Sequence, residues 1–246
     1  MSDSVRTQLK ASASGQNMRK RQSPKRKQSK KREPAQKPEP QIEEVTRETS
    51  SIEEHANVLF KPNPGPQTEF LAASEREVLY GGSAGGGKSY AMLADPLRYM
   101  GHPQFSGLLL RHTTEELREL IFKSQELYPK IWPGIKWSER KMQWTAPSGA
   151  RLWMSYLDRD DDVLRYQGLA FSWIGFDELT QWATPYAWNY MRSRLRSTAP
   201  DLPIFMRATT NPGGRGHQWV KKMFIDPAPY NRSFDATDSE TGEVLR

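Results

Sequence analysis

The sequence predicts an α/β fold: a mainly parallel central sheet flanked by helices, preceded by a disordered basic tail. Three observations carry that expectation. Short apolar runs alternate with amphipathic segments over most of the chain, five glycines crowd the junction after the first run, and the surplus positive charge sits in the first 40 residues. Alternation at this spacing is the pattern of βα units, in which each crossover between parallel strands lays a helix on the sheet.

The tail comes first. Residues 1–40 hold twelve Lys/Arg against three Asp/Glu, a net of +9, whereas the whole 246-residue chain is +7, so the remainder carries −2. Its stretch "RKRQSPKRKQSKKREPAQKPEP" repels itself and has too little apolar surface to fold. Residues 1–50 are therefore expected to be a disordered tail and linker, and 51–246 a single folded domain. Such a tail suits phosphate neutralisation on nucleic acid, and equally a solubilising or scaffold-binding extension. There are no cysteines, which excludes disulfides and thiolate zinc sites. No apolar run approaches the roughly 18 residues of a membrane span, and the N-terminus has no signal-peptide apolar stretch. A cytoplasmic protein without a membrane partner is expected.

In chain order, "KPNPGPQTEFLAAS" is a proline-rich stretch leading into a short helical pattern with Phe70 and Leu71 as its apolar members. "EVLYGG" (77–82), "GLLLR" (107–111), "RLWMSYL" (151–157), "FSWIGFDE" (171–178) and "IFMRATTNP" (204–212) are apolar runs of strand length. Segments 88–100, 113–127, 184–196 and 217–224 carry helical periodicity. "MQWTAPSGARLWM" predicts a hairpin turning at Ser148-Gly149 and adding an antiparallel element. No internal repeat is present.

The glycines have a chemical reading. Five of the seven residues between Tyr80 and Lys88 are glycine, and Gly82 to Ser89, "GSAGGGKS", fits G-x-x-x-x-G-K-[ST]. With a strand before it and a helix after it, this is a phosphate-binding loop rather than a flexible connector. The amides of Gly82, Ser83, Ala84, Gly85, Gly86 and Gly87 converge on β- and γ-phosphate oxygens, and the helix adds its positive end. Lys88 reaches the same phosphates, the Ser89 hydroxyl coordinates Mg²⁺, and Tyr90 completes the nucleotide-binding stretch. ATP and Mg²⁺ are the cofactors this implies.

Two further strand ends supply acids and small polar groups. In "WIGFDELTQW", 89 residues beyond Lys88, Asp177 fits the magnesium-holding carboxylate and Glu178 the group that polarises the attacking water. Alone, the pair is an ordinary strand end with two solvated acids; joined to the loop, it marks hydrolysis. "MRATTNPGG" ends in Thr209, Thr210 and Asn211, which suit hydrogen bonds to a γ-phosphate or its water, although Thr-Asn-Pro-Gly is also a good turn.

The ordered set "PNPGPQTEF", "YGGSAGGGKS", "LLLRHTTEELRELI", "LRYQGLAFSWIGFDE" and "ATTNPGG" resembles the large terminase subunit of tailed bacteriophages, the ATPase that pumps DNA into the procapsid. The likeness runs from about Val58 to the C-terminus. It implies a P-loop NTPase fold of the ASCE (RecA-like) type over residues 51–246 and a homo-oligomeric ring, a pentamer, on the portal. It further implies double-stranded DNA, the portal protein and the small terminase subunit as partners, in the cytoplasm of the infected bacterial host. Position by position, Gln67 matches an adenine-contacting glutamine, Lys88 and Ser89 the phosphate and metal residues, Asp177 and Glu178 the two acids, and Thr209 to Asn211 the coupling motif.

Two departures stand out. Some relatives carry an arginine inside the loop, where this chain has Ser83-Ala84-Gly85; an arginine finger must then come from elsewhere, such as a neighbouring subunit. Arg165 is the first candidate and Arg111 the second, each equally readable as a surface or sheet-edge cation. The family also continues into a nuclease with clustered acids, which this chain does not reach; hydrolysis of ATP without DNA cleavage is expected, the chain being either a fragment or half of a split gene whose separately encoded nuclease is then a partner. The rival readings are a superfamily-2-type helicase, which needs a second RecA-like domain, and a non-catalytic DNA-binding adaptor with a relict nucleotide site. "TPYAWNYMRSRLRS" packs through Trp188, Met191 and Leu195 or faces DNA with its arginines; "DRDDD" (158–162) is expected to be a solvated loop.

Overall fold

The computed structural model describes residues 59–237, so the 1–50 tail and linker lie outside the described residues. In order the chain forms α1 (Pro66–Ala72), β1 (Glu77–Gly81), α2 (Lys88–Ala94), β2 (Ser106–Arg111), α3 (Thr114–Ile131), β3 (Lys136–Ser138), β4 (Gln143–Thr145), β5 (Arg151–Tyr156), β6 (Trp173–Phe176), α4 (Tyr186–Arg192), β7 (Phe205–Thr210) and α5 (His217–Phe224). Three 3-10 segments intervene at Asp95–Tyr99, Asp160–Tyr166 and Leu179–Gln181. One seven-stranded sheet runs in the order β1-β7-β6-β2-β5-β4-β3. The first five strands of that order are parallel, and β4 and β3 add the antiparallel end.

Strand alternation sorts the side chains into two cores. On one face Leu109, Leu152, Trp173 and Phe205 meet Met92 and Leu93 of α2 and Leu117 and Tyr128 of α3. On the other, Leu108, Leu110, Ile174, Phe176, Met206 and Ala208 meet Trp182, Trp188, Met191 and Val220. Each fully buried large side chain contributes about 1.5–3 kcal/mol, and the sheet is therefore fixed from both sides. Gly175 lets α2 come close: a Cβ there would lie 2.8 Å from Met92 Sδ.

Several boundaries differ from the sequence expectation, each for a local reason. The 88–100 helix is α-helical only to Ala94 and then tightens to 3-10, because Pro96 has no N–H to close the next α turn. α3 runs past 127 to Ile131 despite Pro129; Tyr128 Oη donates to Leu93 O (2.9 Å) and Trp132 Nε1 to Leu97 O (3.0 Å), pinning the last turn. α4 stops at Arg192 instead of 196, since Phe171 pairs with Leu195 as a parallel bridge and draws the chain into the sheet edge. β3 is an addition to the sequence expectation; it pairs with β4, and Trp137 lies 5.3 Å from Trp144. "DRDDD" is no open loop: the Arg159 N–H donates to Asp162 (3.0 Å), starting the 3-10 segment, and Thr184 holds Asp160 (2.6 Å). The hairpin turn is as expected, with Gly149 at φ +95° between β4 and β5.

Candidate functional site

β1, β7, β6 and β2 are consecutive parallel strands, so their carboxyl ends form one row. In open α/β sheets that row is where ligands bind. The loop 82–87 leaves β1 at this end and turns into α2. Gly85 (φ +84°) and Gly87 (φ +75°) hold left-handed backbone that only glycine adopts without strain. At Gly87 a side chain is also excluded by space, because a Cβ would meet Gln67 Nε2 at 2.7 Å.

The loop is braced from three sides. Tyr80 Oη, on β1, donates to Gly86 O (2.5 Å). Gln67 is buried, its Nε2 donating to Gly87 O (2.9 Å) and its Oε1 accepting from the Asn63 N–H (2.6 Å). The residue expected to touch adenine therefore spends its carboxamide on the loop itself. Lys88, also buried, folds back so that Nζ donates to Gly82 O (3.0 Å) and Ser83 O (2.6 Å). Tyr90 is 41% exposed beside the loop, with Lys123 Nζ 5.9 Å from its ring centre.

Facing the loop are the acids. Alternation along β2, β6 and β7 puts Leu109, Trp173 and Phe205 on the α2 face, and two-residue steps carry Arg111, Asp177 and Thr209 to that same face. Ser89 Oγ lies 3.5 Å from Asp177 Oδ2, joining residues 88 apart in sequence. Asp177 is fully buried, its Oδ1 accepting from Thr209 Oγ1, and Arg111 Nε lies 3.2 Å from its Oδ2. A hydroxyl and a carboxylate this close form a hard-oxygen pair of the kind Mg²⁺ takes with phosphate and water, so these residues fit that ion.

Glu178 departs from the strand with φ +63°, a left-handed conformation unusual for a non-glycine residue. The turn swings its carboxylate toward β7, where Asn211 Nδ2 donates to Oε1 (2.7 Å) and the Asn211 N–H to Oε2 (3.3 Å). Burial pushes the Glu178 pKa up, and the neighbouring Asp177 charge adds to it, against smaller opposing effects of Arg111, the Asn211 N–H and Lys88. A carboxylate raised in this way is a better proton acceptor than an ordinary glutamate.

Thr209 links both acids, because its Oγ1 also accepts from the Glu178 N–H (3.2 Å). Thr210 Oγ1 donates to Thr180 Oγ1 (2.8 Å), and Thr180 O accepts from the Gly216 N–H (2.8 Å) at the start of α5. Thr180 and Gly216 are invisible to sequence reasoning, since nothing in "DELTQW" distinguishes that threonine from a turn residue. The two arginine candidates separate. Arg111 is buried in this chain's own site, not on a free edge. Arg165 is not brought to the acids: it is 46% exposed, Nη2 donating to Tyr156 O (2.6 Å) and Nε to Asp162 O (3.1 Å).

Comparisons with known proteins fit this geometry. The sequence profile described as phage terminase large subunit matches residues 74–243. No curated protein matches closely enough to count as a relative. Among solved structures, the large terminase from a thermophilic bacteriophage in complex with ADP superposes with a TM-score of 0.52 at 19% identity, covering 67% of this chain and 42% of that one. The HK97 bacteriophage large terminase gives 0.51 at 12% identity, covering 70% and 38%. The N-terminal domain of the DNA packaging ATPase from bacteriophage phi29 gives 0.51 at 15%, covering 69% and 91%. These likenesses establish the P-loop NTPase fold, and the chain spans about two fifths of the length of the two large terminases.

Proposed function

The chain belongs to the phage terminase large subunit family, and from that premise we propose that it is the ATPase part of a DNA-packaging motor, hydrolysing ATP to move double-stranded DNA into a procapsid. The observation that carries this reading is the 3.5 Å approach of Ser89 to Asp177, which joins the glycine loop and the acidic strand end into one site. The thermophilic-phage terminase solved with ADP supports nucleotide as the ligand.

In this reading the amides of 82–87 and the Lys88 ammonium, released from the Gly82 and Ser83 carbonyls, bind the β- and γ-phosphates. Ser89 and Asp177 would hold Mg²⁺, which when bound neutralises phosphate charge and polarises the γ-phosphoryl group. Glu178, oriented by Asn211, accepts the proton of the attacking water. Loss of the γ-phosphate alters the contacts of Thr209, Thr210 and Asn211, and the Thr210–Thr180–Gly216 bonds carry that change to α5. Arg165, exposed on its 3-10 segment, would give up its bonds to Tyr156 O and Asp162 O to enter a neighbouring subunit's site as an arginine finger. That role implies a ring, a pentamer in this family's manner, assembled with portal and small subunit in the host cytoplasm; among the described residues no helix is long and apolar enough to cross a membrane. Gln67 acts here through the loop, and its contact with adenine would be secondary.

The test is ATP turnover by the chain assembled with portal and DNA. Glu178→Gln is expected to lower turnover by about 10²–10⁴-fold while ADP binding is kept. Turnover that survives this substitution would remove Glu178 from the role of base.

A further inference from the structure

Arg111 ends β2 beside Asp177, the residue that follows β6. The pairs Gly107–Trp173 to Leu110–Phe176 set that register, and the Asp177 N–H donates to Leu110 O (2.9 Å). The arginine side chain is 10% exposed, and its Nε lies 3.2 Å from Asp177 Oδ2 without hydrogen-bond geometry. Among the described residues, Asp177 is the one ion-pair partner of this guanidinium. An arginine kept for structure normally spends its five N–H donors on carbonyls or carboxylates. This one is buried, charged and held at a single point.

The oxygen it faces is also the one nearest Ser89 Oγ. Arg111 thus presents its positive charge to the atom that the proposed reading gives to the metal. We propose that Arg111 is a placeholder counterion: it balances the buried Asp177 carboxylate while the nucleotide site is empty, and yields when Mg²⁺ arrives with nucleotide. A carboxylate with no exposure requires a countercharge in the empty state. A divalent ion at the same oxygen satisfies that requirement and repels the guanidinium. With no hydrogen bond to another group among the described residues, the guanidinium turns away readily, and Glu119 and Glu178 both lie within its field. Arg111 is accordingly a positioning residue that sets how tightly metal binds without nucleotide; it suppresses idle metal binding and couples metal to nucleotide.

The inference rests on Asp177 being the metal-side acid, and the experiment separates the two. Mn²⁺ binding to the nucleotide-free full chain is followed by electron paramagnetic resonance. Arg111→Met is expected to bind Mn²⁺ about ten-fold or more tighter than wild type, as a competing unit charge has been removed, and Arg111→Lys to stay near wild type. Equal Mn²⁺ affinity in Arg111→Met and wild type overturns the placeholder role. Asp177→Asn should abolish Mn²⁺·ADP binding; if it does not, the reading of Asp177 itself fails. Should Arg111→Met not fold without metal, Asp177→Asn is added. A double variant that regains a cooperative thermal transition supports charge compensation, and one that stays unfolded overturns it.

Discussion

Two buried arginine–aspartate pairs lie on the same face of the sheet and behave differently. Arg207, on β7, faces Asp95 just beyond α2, with Nε 3.5 Å from Oδ2 and neither side chain exposed. Its other nitrogens donate to Glu75 O (2.8 Å) and Ala73 O (2.9 Å), and its guanidinium carbon sits 4.2 Å from the centre of the Phe205 ring. Asp95 in turn accepts from Trp173 Nε1 (2.7 Å) and pairs with Arg98. Burial pulls the Arg207 pKa down and the Asp95 charge opposes it. Arg111–Asp177 has the same chemistry and a shorter approach, 3.2 Å, but among the described residues its arginine has no such hydrogen bonds. One pair is a strut between the end of α2, the chain entering β1 and β7; the other, in the proposed reading, is a contact that can be exchanged. What separates a structural ion pair from a functional one here is the satisfaction of the remaining donors, not burial.

The largest effect should come from the strut. Arg207→Met is expected to cost about 3 kcal/mol in chemical denaturation, at the low end for a broken buried pair because Asp95 keeps Arg98 and Trp173. The loss should be the same with and without Mg²⁺·ADP; a loss confined to the nucleotide-free protein would erase the distinction. Arg111→Met should show the opposite dependence, with about 1–3 kcal/mol lost without ligand and little difference once Mg²⁺·ADP is saturating. Thr209→Val, which strips a hydroxyl from Asp177 and leaves the Glu178 N–H unpaired, should cost about 1–2 kcal/mol and slow turnover without abolishing nucleotide binding.

The pH profile of turnover sharpens the comparison in a different way. A general base must be ionised, so activity falls as pH drops through the raised Glu178 pKa. The acid limb should therefore lie above the ordinary glutamate value of about 4.3. Because the Arg111 cation lowers that pKa in the empty site, Arg111→Met should move the acid limb of kcat/KM, which reports the free enzyme, further up, whereas Arg207→Met should leave it in place. The smallest effect is expected at the solvent-facing Lys123–Glu119 pair on α3, where Glu119→Gln should change stability by less than about 0.5 kcal/mol.

Much of the site was legible because its pieces are local. "GSAGGGKS" dictates its own turn through glycine backbone freedom, and Asp177-Glu178 and Thr209 to Asn211 are marked by apolar runs that stop abruptly. Arg111 and Arg207 were not legible in the same way. In sequence each is a cation at or in an apolar run, and its partner is 66 or 112 residues away. Gln67 stands out only through the family resemblance, as an adenine contact, and its bond to Gly87 O depends on how α1 meets the loop. Helix ends at Ala94, Ile131 and Arg192 were likewise set by Pro96, by Tyr128 and Trp132 reaching neighbouring carbonyls, and by the Phe171–Leu195 bridge.

The sequence by itself determined the α/β class, the glycine-rich turn from β1 into α2 and the place of Asp177 and Glu178 at a strand end, because periodicity and glycine content act through backbone dihedrals within a few residues. The tertiary structure alone decided that β7 lies between β1 and β6, that β2 borders β6, and hence which arginine meets which aspartate. Strand order brings distant residues to hydrogen-bonding distance, and no local preference encodes it; it is chosen by the simultaneous burial of both sheet faces.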